Sequence, residues 1–249
     1  MKKTTQNTLN YYQFLHIKQF PNIMHGIFTR EGGSSKPPYQ SLNISFNVGD
    51  DPDNVQNNTQ RIVSVMGFSR WQSLKQTHSC IIHVINSCSQ DLLIGDALIT
   101  EEPNILLIIK TADCQPVLLA DPVDNRVAAI HSGWRGSVQN IIGKTIAKMI
   151  ELGTKPQNIL AGIGPSLGPC CAEFIHYKQE LPESLWSYAS KPNYFNFWEI
   201  SKTQLQNEGV FANNIESSEM CTKCCPDFFS YRRKKISGRF GSVIGIKKK

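Results

Sequence analysis

Three reactive side chains stand at the ends of apolar runs in this chain. His78 precedes the apolar segment 80–85, Cys114 separates the runs 105–110 and 117–120, and His131 follows 127–130. Most of the eight cysteines fall in short-range groups, whereas Cys114 stands alone. The separations between His78, Cys114 and His131 are too long for a local zinc finger or ribbon, which would show CxxC or HxxxH spacing. They suit a site assembled from three strand ends of one sheet. Two imidazoles and one thiolate make a borderline-soft N₂S donor set suited to Zn²⁺, with Cu²⁺ a chemical competitor. Three protein ligands leave the fourth position of a tetrahedron open, the mark of a catalytic zinc. The same residues can work without metal, with Cys114 as thiolate nucleophile and His131 or His78 as base on an acyl or amide substrate. Spacing alone also leaves room for hydrogen-bonded structural histidines and a small buried thiol.

The neighbours of the trio narrow the chemistry. Asp113 beside Cys114 is either an acceptor behind a ligand histidine or a turn residue with its own Asx bond. Arg135, flanked by Gly133 and Gly136, is a candidate phosphate or ribose contact near a helix start, where free N–H groups favour anions; the alternative is a surface cation. Trp134 reads as core or as a stacking platform, and Phe195, Phe197 and Trp198 as core or substrate-lid packing. Cys170-Cys171 and Cys221-x-x-Cys224-Cys225 could supply four thiolates to a structural zinc if their loops meet, although separate thiols are the default expectation. His16, His25, His83 and His176 have no evident chemical partner in the sequence and read as structural.

Rigid elements must hold such a site, and hydrophobic periodicity locates them. Strands are expected over 80–85, 96–100, 105–110, 117–120, 127–130 and 159–163, with a hairpin turn at 121–125. Helices are expected over 53–66, ending at Gly67, over 138–152, capped by Gly153, and over 201–208. Residues 1–10 are polar and expected to fray, and 30–54 to form a long structured loop with strand fragments. No repeat, low-complexity tract or long Gly/Ser linker divides residues 1–249. Strands outnumber helices without alternating one for one, so the expected fold class is α+β, a single domain.

Composition excludes other classes. Apolar residues make up 40% of the 249 positions and charged ones 18%, enough for a sizeable core and against wholesale disorder. The longest apolar run, 105–109, is far short of the roughly 20 residues a membrane span needs. No apolar stretch follows Met1-Lys2-Lys3 as in a signal peptide, so the expectation is a soluble cytoplasmic protein with reduced thiols. The 26 Lys and Arg exceed the 20 Asp and Glu by six. Much of that excess lies at 231–249, which reads as a basic tail: a solvated terminus or an RNA or partner contact. The body is near neutral, so nucleic-acid binding by the body is not indicated. A non-enzymatic protein, with a zinc-stabilised core and an RNA-binding tail, is thus a further reading of the same sequence.

Two runs carry a family resemblance. Lys110-Thr111-Ala112-Asp113-Cys114-Gln115-Pro116-Val117-Leu118-Leu119 with Asp121-Pro122, and Ala129-Ile130-His131-Ser132-Gly133-Trp134-Arg135-Gly136, resemble the signature of the multicopper polyphenol oxidase-like (laccase-domain) family. Segments at 30–34, 39–43, 96–100, 163–166, 221–222 and 228–233 agree in order. The resemblance implies α/β/β/α layers and a zinc-dependent purine nucleoside phosphorylase that also deaminates adenosine and accepts methylthioadenosine. Bacterial relatives are described as peptidoglycan editing factors. It implies metal ligation by His78, Cys114 and His131. Arg30, Asn43 and Arg135 are candidate contacts to phosphate, ribose or base. Copper oxidation fits poorly, because four coppers need far more histidines than the six present. Ser79 and Ser132 stand where the family commonly has Gly or Ala, and neither is a ligand.

Overall fold

The computed structural model describes residues 1–89 and 91–248. The strands, in chain order, are β1 (Lys2–Gln6), β2 (Leu9–Gln13), β3 (Ile23–Phe28), β4 (Arg70–Ser73) and β5 (Ile82–Val84). Then come β6 (Ala97–Thr100), β7 (Ile105–Thr111), β8 (Gln115–Asp121), β9 (Arg126–Ser132) and β10 (Leu160–Ile163). A short pair, β11 (Ala189–Lys191) and β12 (Tyr194–Phe195), precedes β13 (Ile215–Ser217) and β14 (Phe240–Ile246). The helices are α1 (Pro52–Val65), α2 (Trp134–Val138), α3 (Ile141–Glu151), α4 (Tyr177–Glu180) and α5 (Phe197–Asn207).

Two six-stranded sheets carry the fold, ordered β1-β2-β3-β14-β7-β4 and β13-β10-β8-β9-β6-β5. Both are mixed: β4 runs parallel to β7 and β5 parallel to β6, while β8 and β9 form an antiparallel hairpin. Side chains alternate between the faces of a strand, so a strand covered on both sides reads as an unbroken apolar run. Ile105, Leu107 and Ile109 of β7 accordingly meet Leu118 of β8 and Ala129 of β9 between the sheets. Leu106 and Ile108 face Ile62, Val63 and Val65 of α1 on the other side. Val117, Leu119 and Ile130 pack outward against Ile142, Ile146 and Met149 of α3 and Leu205 of α5. The fold is therefore α+β, a mixed two-sheet sandwich with helices outside, in α/β/β/α layers as expected. Among the described residues, no helix is long and apolar enough to cross a membrane.

Four local expectations change. Residues 1–10 hold regular structure: β1 and β2 form an edge hairpin, register Lys2 opposite Gln13, anchored by the buried Leu9 and Tyr11. Their polarity belongs to an exposed edge, where charge blunts unwanted pairing. The basic tail expected over 231–249 is not a free terminus through residue 248, and Lys249 lies outside the described residues. β14 lies fully buried between β3 and β7, and the basic residues flank it. Residues 30–51 contain no strand; buried Asn58 of α1 organises them, accepting from the Ser34 amide and donating to the carbonyls of Ser41 and Asn43. The helix expected over 138–152 is split by Asn140, whose left-handed φ of 56° breaks the ladder while its side chain caps the Gly143 amide. Asn tolerates that conformation better than other non-glycine residues.

Candidate active site

The sandwich brings four segments to one end. His78 lies between β4 and β5, Asp96 just before β6, Cys114 in the crossing from β7 to β8, and His131 near the end of β9. The pairing of Pro116 with His131 and Gln115 with Ser132 fixes two of these segments in register. Gln76 ties in a third, donating to the Lys110 carbonyl at 2.8 Å and accepting from its amide at 2.9 Å.

Sγ of Cys114 and ring nitrogens of His78 and His131 all lie within 4.8 Å of one another, with Cys114 Sγ 3.6 Å from His78 Nε2. Zinc bonds of about 2.3 Å to sulfur and 2.0 Å to nitrogen, meeting near the tetrahedral angle, put the two donors about 3.6 Å apart. The trio therefore fits a zinc-sized cation. Gly133 is required for that closeness: a Cβ there would lie 2.4 Å from His78 Cδ2 and 3.3 Å from the Cys114 sulfur.

Asp96 organises the centre. Its fully buried carboxylate accepts from the amides of Thr77 (3.2 Å), His78 (3.0 Å) and Ser79 (2.6 Å), and from the Ser79 hydroxyl (2.7 Å). This nest holds His78 at a left-handed φ of 59°, a conformation that costs free energy outside glycine. Asp96 also lies 2.7 Å from His131 Nδ1, which directs Nε2 of that ring away from the carboxylate. Burial opposes its charge, yet the His131 and Ser79 hydrogen bonds hold it well below the ordinary carboxylate range.

Burial likewise pushes the Cys114 thiol up, but positive His131 and hydrogen bonds from both imidazoles bring it down to about 6. Burial opposes the charge of His131, while the Cys114 thiolate and Asp96 raise it to about 9. The same constellation is thus poised to ligate a cation or to hold a thiolate beside an imidazolium.

A cavity of about 570 Å³ opens onto the trio. Trp134, Phe174, Phe197 and Tyr231 supply its aromatic wall, and Lys110, Arg232 and Arg239 its cations. The Lys110 ammonium donates to the Leu74 carbonyl at 2.8 Å, and burial brings it down to about 8.

Three expected substrate contacts are not brought here, for none of them lines the cavity. Arg30 donates to the Gln40 carbonyl and lies over Phe229. Asn43 is fully buried, donates to Asp50 and accepts from the amides of Arg239 and Ser45, so it bears on the cavity through the backbone of these two lining residues. Arg135 is exposed, 5.0 Å from the Trp134 ring. Asp113, at a φ of 89°, accepts from the Thr222 hydroxyl and the Arg232 amide, so the acceptor behind a histidine is Asp96 instead. Lys110, Arg232 and Arg239 went unassigned in the sequence. Lys110 carried a signal, being a charge that ends a doubly buried apolar run. The two arginines lay in the presumed tail.

Residues 24–247 match the family described as multi-copper polyphenol oxidoreductase laccase. A purine nucleoside phosphorylase of Deinococcus radiodurans is 32% identical over 245 residues, covering 93% of each chain. One from Bacteroides thetaiotaomicron is 34% identical over 255 residues, covering 93% of this chain and 94% of its own. The crystal structure of the hypothetical protein YfiH from Bacillus licheniformis superposes with a TM-score of 0.87 at 29% identity over 96% of both chains. YlmD from Geobacillus stearothermophilus gives 0.84 at 30% identity, over 96% of this chain and 99% of that one. With the whole second sheet and the strand ends that carry the trio inside the matched residues 24–247, the chain belongs to the multi-copper polyphenol oxidoreductase laccase family.

Proposed function

We propose that this protein is a zinc-dependent purine nucleoside phosphorylase, taking adenosine, inosine or methylthioadenosine with phosphate to the free base and ribose 1-phosphate. Adenosine deamination is the second reaction proposed for the same cavity, and the cytoplasm the proposed compartment. One observation carries the reading: the His78–Cys114–His131 trio, three cations and an aromatic wall share one cavity of nucleoside size. The names of the two relatives above support it. The donor count favours zinc over multicopper chemistry, since a single N₂S set holds one ion.

The residues divide the work by chemistry. Trp134, Phe174 and Phe197 offer apolar faces for the purine, and Lys110, Arg232 and Arg239 offer positive charge for phosphate. In phosphorolysis a phosphate oxygen bonds to the ribose anomeric carbon as the bond to the purine nitrogen breaks. The released electron pair stays on the base, which takes up a proton. Lys110, with its ammonium lowered to about 8 by burial, holds phosphate while charged and is a candidate proton donor near neutrality. Zn²⁺, held by His78, Cys114 and His131, would supply Lewis acidity at its open position. Asp96 keeps His131 oriented throughout.

The test is the metal content of the purified protein together with a nucleoside panel assayed with and without phosphate. Phosphate-dependent base release, lost on chelation and restored by zinc, is the expected result. No turnover of any purine nucleoside by zinc-loaded protein would overturn it.

A second reading has its own observation. Cys114, His131 and Asp96 are arranged as nucleophile, base and orienting carboxylate, with the thiol lowered to about 6. Zinc titrated into chelator-stripped protein at about pH 6 separates the two, a pH near the free histidine value where protons and metal compete. Activation supports the nucleoside enzyme. Inhibition at one equivalent, through capping of the thiolate, supports a Cys–His hydrolase.

A further inference from the structure

A second group of metal-ligating side chains lies outside the cavity. Sγ atoms of Cys170, Cys171, Cys221 and Cys224 all fall within 4.8 Å of one another. Cys224 is 3.6 Å from Cys171 and 3.8 Å from Cys170. Four zinc–sulfur bonds of about 2.3 Å in a tetrahedron set the sulfurs about 3.8 Å apart. Both Cys224 distances match the edges of such a tetrahedron and lie far beyond the roughly 2.05 Å of a disulfide.

The backbone gathers these side chains in place. Cys221 and Cys224 belong to one tight turn, closed by the Cys224 and Cys225 amides donating to the Cys221 carbonyl at 3.1 and 2.8 Å. The amides of Gly168, Lys223 and Cys224 face the Cys221 sulfur. Gly168 is needed for that approach, because a Cβ there would sit 3.1 Å from Cys221 Cβ and 2.7 Å from Trp198. Four thiolates around a dication leave a net double negative charge, and two arginines brace the loops that would carry it. Arg232 donates to the carbonyls of Cys171 and Glu173, and Arg233 to those of Thr222, Lys223 and Cys225.

We infer that Cys170, Cys171, Cys221 and Cys224 form a closed S₄ site for a structural Zn²⁺, separate from the His78–Cys114–His131 centre and independent of the reaction proposed there. All four positions of the tetrahedron are filled by protein, so no substrate can reach the ion. Its role is to clamp the cavity wall. Leu167 and Ala172, which line the cavity, flank the first pair of cysteines. Thr222, inside the second pair's turn, holds Asp113 at 2.6 Å, next to Cys114.

Zinc content of the full-length chain, purified under reducing conditions, tests the inference. Wild type is expected to hold two zinc ions; Cys114→Ala and Cys224→Ser are expected to hold one each, and the double variant none. Cobalt substituted into Cys114→Ala should show the thiolate-to-metal charge-transfer absorption of a four-sulfur set. If Cys224→Ser fails to fold, iodoacetamide labelling of wild type with peptide mapping replaces it. The exposed Cys170 and Cys224 should label only after chelation. A single zinc in wild type that disappears in Cys114→Ala would overturn the S₄ site. So would equal labelling of these cysteines with and without zinc, or a disulfide joining Cys224 to Cys170 or Cys171. Failure of the nucleoside assay with two zinc ions present would count against the proposed reaction alone.

Discussion

The two ligand groups of this protein are built in opposite ways. The His78–Cys114–His131 centre draws one residue from each of three segments at strand ends, with a buried carboxylate behind it. The cysteine group draws two pairs from two loops, and Cys170 and Cys224 are exposed. Three mixed donors on a rigid frame leave a coordination position facing a cavity. Four like donors on short loops close the shell and gain order from the ion itself. An open centre needs a preorganised frame, because it cannot rely on a fourth protein ligand to fix its geometry.

The largest test of that contrast is Cys114→Ala. It should bring turnover to less than about a tenth of wild type and remove one zinc while leaving the fold intact, since the site sits on strand ends rather than in the core. Retention of full zinc with activity above that level would break the assignment. Asp96→Asn comes next. It keeps a side chain of the same shape but removes the charge that orients His131 and gathers three amides. Zinc affinity of the open centre should fall about 10- to 100-fold, with the cysteine group unaffected. Equal loss of both ions would show that Asp96 acts on global stability instead.

Gly133→Ala probes crowding at the same place. The new methyl must displace the His78 ring, so zinc affinity should weaken more than thermal stability, by about tenfold. An unchanged affinity, measured by competition with a chelator, would mean the loop relaxes freely.

Acid acts on the whole fold through His25, remote from both groups. This ring is fully buried on β3, accepts from the Phe14 amide at 2.8 Å, and burial together with nearby His16 lowers it to about 4. Unfolded His25 takes a proton below about 6.5 and the folded form only below about 4, so the unfolded chain holds more protons in between. Its contribution is therefore complete above pH 6.5 and declines by about 3 kcal/mol toward pH 4. Denaturant melts of wild type and His25→Gln at pH 7 and 4.5 measure it; parallel losses in both would exclude His25 as the source. Zinc release from the open centre should begin at higher pH than unfolding, because protons compete directly for its ligands.

The smallest effect belongs to Arg135→Lys. Exposed and stacked on Trp134, it lies outside the cavity lining, so phosphorolysis and deamination should each change less than about twofold, as for a surface cation–π contact. A selective loss of phosphate use would return Arg135 to the phosphate site.

Much of this was legible without coordinates. The doubly buried runs at 105–109 and 127–130 and the turn at 121–125 place Cys114 and His131 at strand ends, because burial on both faces writes an unbroken apolar run into the side chains. The edge hairpin and β14 were hidden for the same reason in reverse. Edge strands stay polar, and the glycines of Phe240–Ile246 together with flanking lysines mask a central strand as a tail. Asn140 broke a helix whose hydrophobic period continued across it, since period reports the buried face and not the backbone angle.

By itself the sequence determined which chemistry was available: two imidazoles and a thiol at strand ends, an α+β core, and two groups of cysteines that read by default as separate thiols. Only the tertiary structure decided which charges meet them. Asp96 stands behind His131 rather than Asp113, Lys110, Arg232 and Arg239 face the cavity rather than Arg30, Asn43 and Arg135, and the two cysteine loops converge on one point. Periodicity along a chain encodes burial, which is local. The approach of polar side chains from distant segments depends on sheet order and register, and no local pattern carries that information.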